Sequence, residues 1–107
     1  MPRLSLGLGV QTIRKVGGGT IFRILISGAG TTTSNGEYAW DGVTISGGKP
    51  QYDNPSGSYI YWDDTWYIYD VIDESTSYAI ANSDFSGNWF ELDGIPPAPT
   101  STLYYTP

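Results

Sequence analysis

The chain has 107 residues, eleven acidic against five basic, for a formal net charge of −6, and it contains neither cysteine nor histidine. One domain fits this length. The missing residue types exclude disulfides, Ser-His-Asp and Cys-His catalysis, histidine-ligated zinc and a histidine pH switch.

Charge is divided along the chain. Residues 1–36 hold four basic residues (Arg3, Arg14, Lys15, Arg23) and no acidic one, whereas all eleven acidic residues follow. Sixteen aromatic residues are present, and Phe22 alone falls in that first stretch. At about 25 cal/mol per Å², one well-buried ring contributes roughly 4–6 kcal/mol before entropy is counted. A body of this size has room in its core for fewer than half of the rings. The rest are expected at the surface or between chains.

The first segment, Leu4-Ser5-Leu6-Gly7-Leu8-Gly9-Val10, alternates apolar with small residues, which is strand periodicity. Gly17-Gly18-Gly19 follows as a hinge. A lone strand before a hinge cannot bury its face locally, so residues 1–19 are expected to form an extended arm that orders by adding to a sheet or groove of a neighbour. Its anchoring residues are Arg3, Leu4, Leu6, Leu8, Val10, Arg14 and Lys15. With the boundary at the hinge, Arg23 belongs to the body, residues 20–107.

Thr20–Ser27 is β-branched and apolar and reads as a strand closed by Gly28-Ala29-Gly30. A polar loop and Asn35-Gly36 lead into a short strand at Glu37–Trp40. Asp41-Gly42 turns into Val43–Ile45. Gly47-Gly48 turns into Lys49–Tyr52, expected at a sheet edge because Pro50 lacks the amide hydrogen of a ladder bond.

The strongest hairpin pairs Ser58–Trp62 with Thr65–Tyr69 about Asp63-Asp64. Ile60, Trp62, Trp66 and Ile68 take one parity. Tyr59, Tyr61, Tyr67 and Tyr69 take the other. Since side chains alternate across a strand, one face is Ile/Trp and faces the core, and the other is all tyrosine and half-wet. Ser77–Ala81, Asn88–Leu92 and Thr102–Tyr105 add short strands, and Gly94–Pro99 is an extended, polyproline-like connection. No helical periodicity persists over three turns. The expectation is an all-β antiparallel domain, a meander, barrel-like sheet or sandwich of six to eight short strands.

Catalytic readings are weak. Asp63-Asp64 with Asp70, Asp73 and Glu74 suggest a glycosidase carboxylate pair, but turn aspartates serve their own backbone. Asp70, Asp73 and Glu74 could supply oxygens to calcium, but no EF-hand spacing occurs. Gly17-Gly18-Gly19 lacks the Lys-Ser/Thr of a phosphate loop. No cofactor or metal is expected. The acidic body disfavours nucleic acid, and the Leu/Gly-alternating arm fits a protein groove better than DNA. No apolar run is long enough for a membrane-spanning helix, and the N-terminus is a poor signal peptide, so a chain made in the cytosol is expected. Trp40, Tyr59, Tyr61, Tyr67 and Tyr69 form the candidate interaction face, for another protein subunit or for sugar rings.

The run from Pro2 to Gly19 resembles the opening of small structural proteins of tailed bacteriophages. The pattern Ser27-Gly28-Ala29-Gly30, Asn35-Gly36-Glu37-Tyr38, Gly48-Lys49-Pro50 with Tyr52, Tyr59-Ile60-Tyr61-Trp62, Trp66-Tyr67-Ile68, Trp89, Gly94 and Pro97-Ala98-Pro99 resembles a small aromatic β module of phage and environmental proteins. The resemblance implies a non-enzymatic virion component, a decoration, neck or tail accessory protein. Its implied partners are capsid, neck or tail proteins and copies of itself. The alternative is an adhesin module that binds host-surface glycans.

Overall fold

The structure, a computed structural model, describes residues 20–105. The expected anchoring residues Arg3, Leu4, Leu6, Leu8, Val10, Arg14 and Lys15 lie outside the described residues.

Eight strands form the fold: β1 (Ile21–Ser27), β2 (Gly36–Ser46), β3 (Lys49–Asp53), β4 (Tyr59–Trp62), β5 (Trp66–Asp70), β6 (Ser75–Ile80), β7 (Phe90–Glu91) and β8 (Thr100–Tyr105). One antiparallel sheet holds them in the order β7-β6-β5-β4-β3-β2-β1-β8 and curls into a half-barrel. Each strand from β1 to β7 pairs with its neighbour in sequence, and β8 then returns to the free side of β1. The all-β expectation therefore holds, with a meander whose last strand closes back beside its first.

Two local expectations are corrected. Asp41-Gly42 does not separate two strands. β2 runs through it, with a register irregularity between Trp40 and Ile45. Asp41 stabilises this kink, its carboxylate accepting hydrogen bonds from the Val43 and Thr44 amides and the Thr44 hydroxyl. Pro50 is not at a sheet edge, because β3 lies between β2 and β4. It is tolerated because the recorded β3–β4 pairing begins only at Tyr52, so its missing amide hydrogen is not needed there.

The core lies on the inner side of the curl. Ile24, Ile26, Ile60, Ile68 and Ile80 are buried together with Tyr38, Tyr52, Tyr78, Trp66, Phe85 and Trp89. Six of the sixteen rings are therefore core residues. Three of them are tyrosines whose hydroxyls each reach a backbone carbonyl: Tyr38 to Ser34 (2.7 Å), Tyr52 to Ile21 (3.1 Å) and Tyr78 to Ile95 (2.6 Å). Tyr78 Oη also accepts the Thr31 amide. These bonds tie loops to the sheet and remove the cost of burying a hydroxyl.

The segment Leu92–Pro99 crosses one end of the half-barrel. The Gly30 amide donates to the Pro97 carbonyl and the Ile95 amide to the Thr31 hydroxyl. The indole N–H of Trp89 donates to Ser101 Oγ at 3.1 Å and links the β7 side of the opening to β8.

Candidate functional site

The β4–β5 hairpin carries the candidate site. Its register sets Tyr59 opposite Tyr69, Ile60 opposite Ile68, Tyr61 opposite Tyr67 and Trp62 opposite Trp66. Ile60 and Ile68 are fully buried and Trp66 nearly so, while all four tyrosines are half-buried on the outer face. The tyrosines therefore form two cross-strand stacks. Tyr59 and Tyr69 have ring centroids 5.1 Å apart at 27°, and Tyr61 and Tyr67 lie 5.4 Å apart at 29°. A tilted contact of 5.7 Å between Tyr59 and Tyr61 joins the stacks.

The register extends this surface in both directions. Tyr67 faces Ala79, and Ala79 faces Phe90. Ala79 is buried, whereas Phe90 is 48% exposed, so a small residue sits low between two rings. On the other side, Asp53 faces Tyr59 and accepts a hydrogen bond from Gln51 Nε2 at 3.0 Å. Burial raises the Tyr59 hydroxyl above the usual tyrosine range, with smaller contributions from Tyr69, Tyr61 and Asp53. The face is thus neutral aromatic surface with a polar amide–carboxylate pair along one margin.

Trp40 is not part of this face. It shares the parity of buried Tyr38 and lies opposite buried Tyr52, so it packs against the core, with its indole N–H donating to the Thr44 carbonyl at 2.9 Å. The parity of Tyr38 and Trp40 carried this signal in the sequence. Phe90 is the residue the sequence reasoning missed on the outer face. It was hidden because only two residues of its segment pair with the sheet.

The acidic residues around the hairpin do not converge on a cleft. Asp63 and Asp64 are exposed at the hairpin turn, and Asp64 takes a left-handed conformation, φ 62°. Asp73 and Glu74 are exposed, whereas Asp70 is fully buried. Asp70 Oδ2 accepts hydrogen bonds from the Thr33 and Ser34 hydroxyls, and Oδ1 accepts the amides of Ile72 and Asp73. Burial alone would raise the Asp70 carboxyl. The hydrogen bonds outweigh it and hold the group below the ordinary carboxylate value. Asp70 therefore ties the one-turn 3-10 helix Thr32–Ser34 to the turn after β5. Among the described residues, no group of three or more Asp or Glu side chains is arranged to hold a metal.

A cavity of about 350 Å³ opens on the inner side, lined by Thr20, Ile21, Lys49, Pro50, Tyr52, Trp66, Ser83, Asp84 and Tyr105. It lies where the chain enters β1 and leaves β8. Burial, and secondarily Asp84, raise the Tyr105 hydroxyl.

No family model, no curated protein and no solved structure matches this chain.

Proposed function

We propose that this chain is a non-enzymatic structural component of a tailed-phage virion, a decoration, neck or tail accessory protein. It docks through its N-terminal arm and displays the β domain on the particle surface. The observation that carries this reading is the outer tyrosine face. Four stacked, half-buried rings with Phe90 beside them are aromatic anchors of the kind enriched at protein interfaces. The charge division supports docking through the arm: residues 1–19 carry +3, and residues 20–105, with eleven acidic and two basic side chains, carry −9. The partners are capsid, neck or tail proteins and further copies of the chain.

Mass spectrometry of purified particles tests this directly. The chain is expected in the virion, with hundreds of copies for decoration and few for a neck or tail position. Its absence from particles ends the proposal. Deleting residues 2–16 is expected to leave a folded domain that no longer joins particles.

A second reading has one observation in its favour. Gln51 and Asp53 stand at the margin of the tyrosine face and offer hydrogen-bonding groups beside flat rings, as a pyranose requires. In that reading the domain is an adhesin module, and Tyr61→Ala or Tyr67→Ala abolishes retention on a glycan array while assembly persists. Unchanged retention ends it.

A further inference from the structure

The outer face of the β4–β5 hairpin gathers phenols in a way the rest of the fold does not. The chain has nine tyrosines. Among the described residues, every recorded tyrosine–tyrosine ring contact falls within Tyr59, Tyr61, Tyr67 and Tyr69. Tyr38, Tyr52 and Tyr78 stand apart from this quartet, being buried with their hydroxyls committed to backbone carbonyls. The quartet is half-buried, so its rings meet solvent and anything dissolved in it.

Few other side chains compete for an oxidant. Thiols and thioethers are readily oxidised, but the chain has no cysteine and a single methionine, Met1. Trp66 and Trp89 are buried, and Trp40 and Trp62 pack against the core. The phenols of the quartet are therefore the exposed oxidisable cluster of the β domain.

We propose that each cross-strand stack is a site of oxidative coupling, at which a one-electron oxidant joins Tyr59 to Tyr69, or Tyr61 to Tyr67, as an intrachain dityrosine. Each of the two phenols gives up one electron and its hydroxyl proton. The phenoxyl radical that results shares its spin with the ring carbons ortho to oxygen. One such Cε of each ring contributes an electron to a new carbon–carbon bond. The hydrogen on each coupled carbon then moves to the oxygen of its own ring, which restores the phenol and the aromatic system. The chain loses two hydrogens in all, and the oxidant takes up two electrons.

The fold contributes position. Register sets the partners directly opposite each other, where Cβ atoms lie about 4.5–5.5 Å apart. The ring centroids are 5.1 Å apart in one stack and 5.4 Å in the other. The ring torsion of tyrosine is broad, so facing ring edges can turn toward each other. Radicals held side by side couple without a diffusional encounter. The product ties the two arms of the hairpin covalently in a chain that has no disulfide. Both partners of each bond belong to one chain, so coupling does not depend on what the face docks against.

The test uses the full-length chain with a light-activated ruthenium complex and persulfate, which takes up the two electrons as it splits into two sulfates. No Lys or Arg follows Lys49, but Asp63 and Asp64 lie between the two arms. A protease that cleaves before aspartate therefore separates residues 53–62 from residues 64–69. Mass spectrometry is expected to find these two peptides joined and two hydrogens lighter than their sum, from protein that runs as a monomer on a denaturing gel and at a yield unchanged by dilution. Tyr67→Phe/Tyr69→Phe keeps both rings and removes both phenols of β5, and should abolish the joined pair. Tyr67→Phe alone should retain it through Tyr59 and Tyr69. In urea, where the register is lost, the yield should fall several-fold. Peptides that stay separate while tryptophan gains oxygen overturn the proposal. So does a joined pair confined to the dimer band, and so does a yield in urea equal to that of the folded chain.

Discussion

Phe85 lies flat on Trp66, with ring centroids 4.4 Å apart and 18° between planes, although its backbone occupies the left-handed region at φ 65°. A bulky residue is rarely found there, and the conformation costs about 1–2 kcal/mol. The stack offsets it. Phe85 is 5% exposed, contacts Tyr52 and Trp89 as well, and covers the inner end of the core where Trp66 binds the Ser83 carbonyl through its indole N–H.

This strain reverses the usual ranking of two substitutions. Phe85→Ala is expected to destabilise by about 3–4 kcal/mol, from the lost ring and the cavity it leaves. Phe85→Gly removes the same ring but also relieves the left-handed strain, so it should be more stable than Phe85→Ala by about 1 kcal/mol. Urea titrations followed by tryptophan fluorescence check this. An alanine variant that equals or exceeds the glycine variant would contradict the backbone conformation.

Asp70 gives the stability a defined acid limb. Its folded-state carboxyl is held below the ordinary value by hydrogen bonds from Thr33, Asp73, Ser34 and Ile72, which outweigh the opposing effect of burial. The unfolded chain therefore binds a proton more readily than the folded one. The contribution of Asp70 is complete above the unfolded pKa of about 3.9 and is lost as pH falls through the folded value. At neutral pH, Asp70→Ala leaves the Ser34 and Thr33 hydroxyls without their acceptor and should cost about 2–3 kcal/mol. Asp70→Asn should cost less, because both hydroxyls can rotate to accept from the amide. Both variants should show a flatter stability curve between about pH 5 and pH 2 than the parent.

Period-two reasoning recovered the parts of the fold in which one face is apolar and the other is not. The β4–β5 hairpin is such a case, and its Ile/Trp parity also located the tyrosine face; β1 was legible instead as a β-branched, apolar run closed by Gly28-Ala29-Gly30. The same rule separates Trp40 from that face once Tyr38 is recognised as core. That recognition depends on the Ser34 carbonyl that receives the Tyr38 hydroxyl, and Tyr52 and Tyr78 likewise depend on distant loop carbonyls that no local pattern announces. Pro50 misled because a proline forbids one ladder bond and not two, and β3 shares only Tyr52 and Asp53 with β4. The left-handed Phe85 has no local sequence signal, since its conformation is held by a stack formed across the core.

Two glycines separate steric from conformational demand. A Cβ on Gly94 would fall 2.4 Å from Tyr78 Cζ and 2.8 Å from the Ser77 carbonyl oxygen, and the Gly94 amide donates to that same carbonyl. Gly28 has φ 79° with open space around it. Gly94→Ala must move the Tyr78 ring, whose hydroxyl joins Thr31 to Ile95, and should cost about 2–3 kcal/mol. Gly28→Ala meets backbone strain alone and should cost about 1 kcal/mol. Thermal melts of the two variants read the order directly.

The tyrosine face is expected to contribute little to folding relative to its area. Tyr61 and Tyr67 stack across the hairpin but remain half-buried. A double-mutant cycle to alanine should return a coupling of about 0.5–1 kcal/mol, the ordinary value for a cross-strand aromatic pair. Each single variant should remain folded at 25 °C. Under the proposed virion role, the loss of particle incorporation should be large by comparison, because anchor rings concentrate interface energy. Parallel measurement of unfolding and of particle incorporation separates the two roles. A variant that loses stability and incorporation in proportion would assign these rings to the core.

The alkaline limb should come from the core tyrosines. Burial, and secondarily the Asp70 carboxylate, push the Tyr38 hydroxyl well above its usual range, and burial with Tyr105 does the same to Tyr52. In the unfolded chain these groups titrate near 10. The folded state thus retains protons that the unfolded state gives up, so stability is intact below about pH 10 and falls as pH rises toward the folded values. Tyr38→Phe removes the titrating group and its bond to the Ser34 carbonyl. It should lower stability at pH 7 by about 1 kcal/mol and flatten the alkaline slope. Guanidinium midpoints measured from pH 7 to pH 11 check both effects, and a slope equal to the parent's would place the source of alkaline unfolding elsewhere than Tyr38.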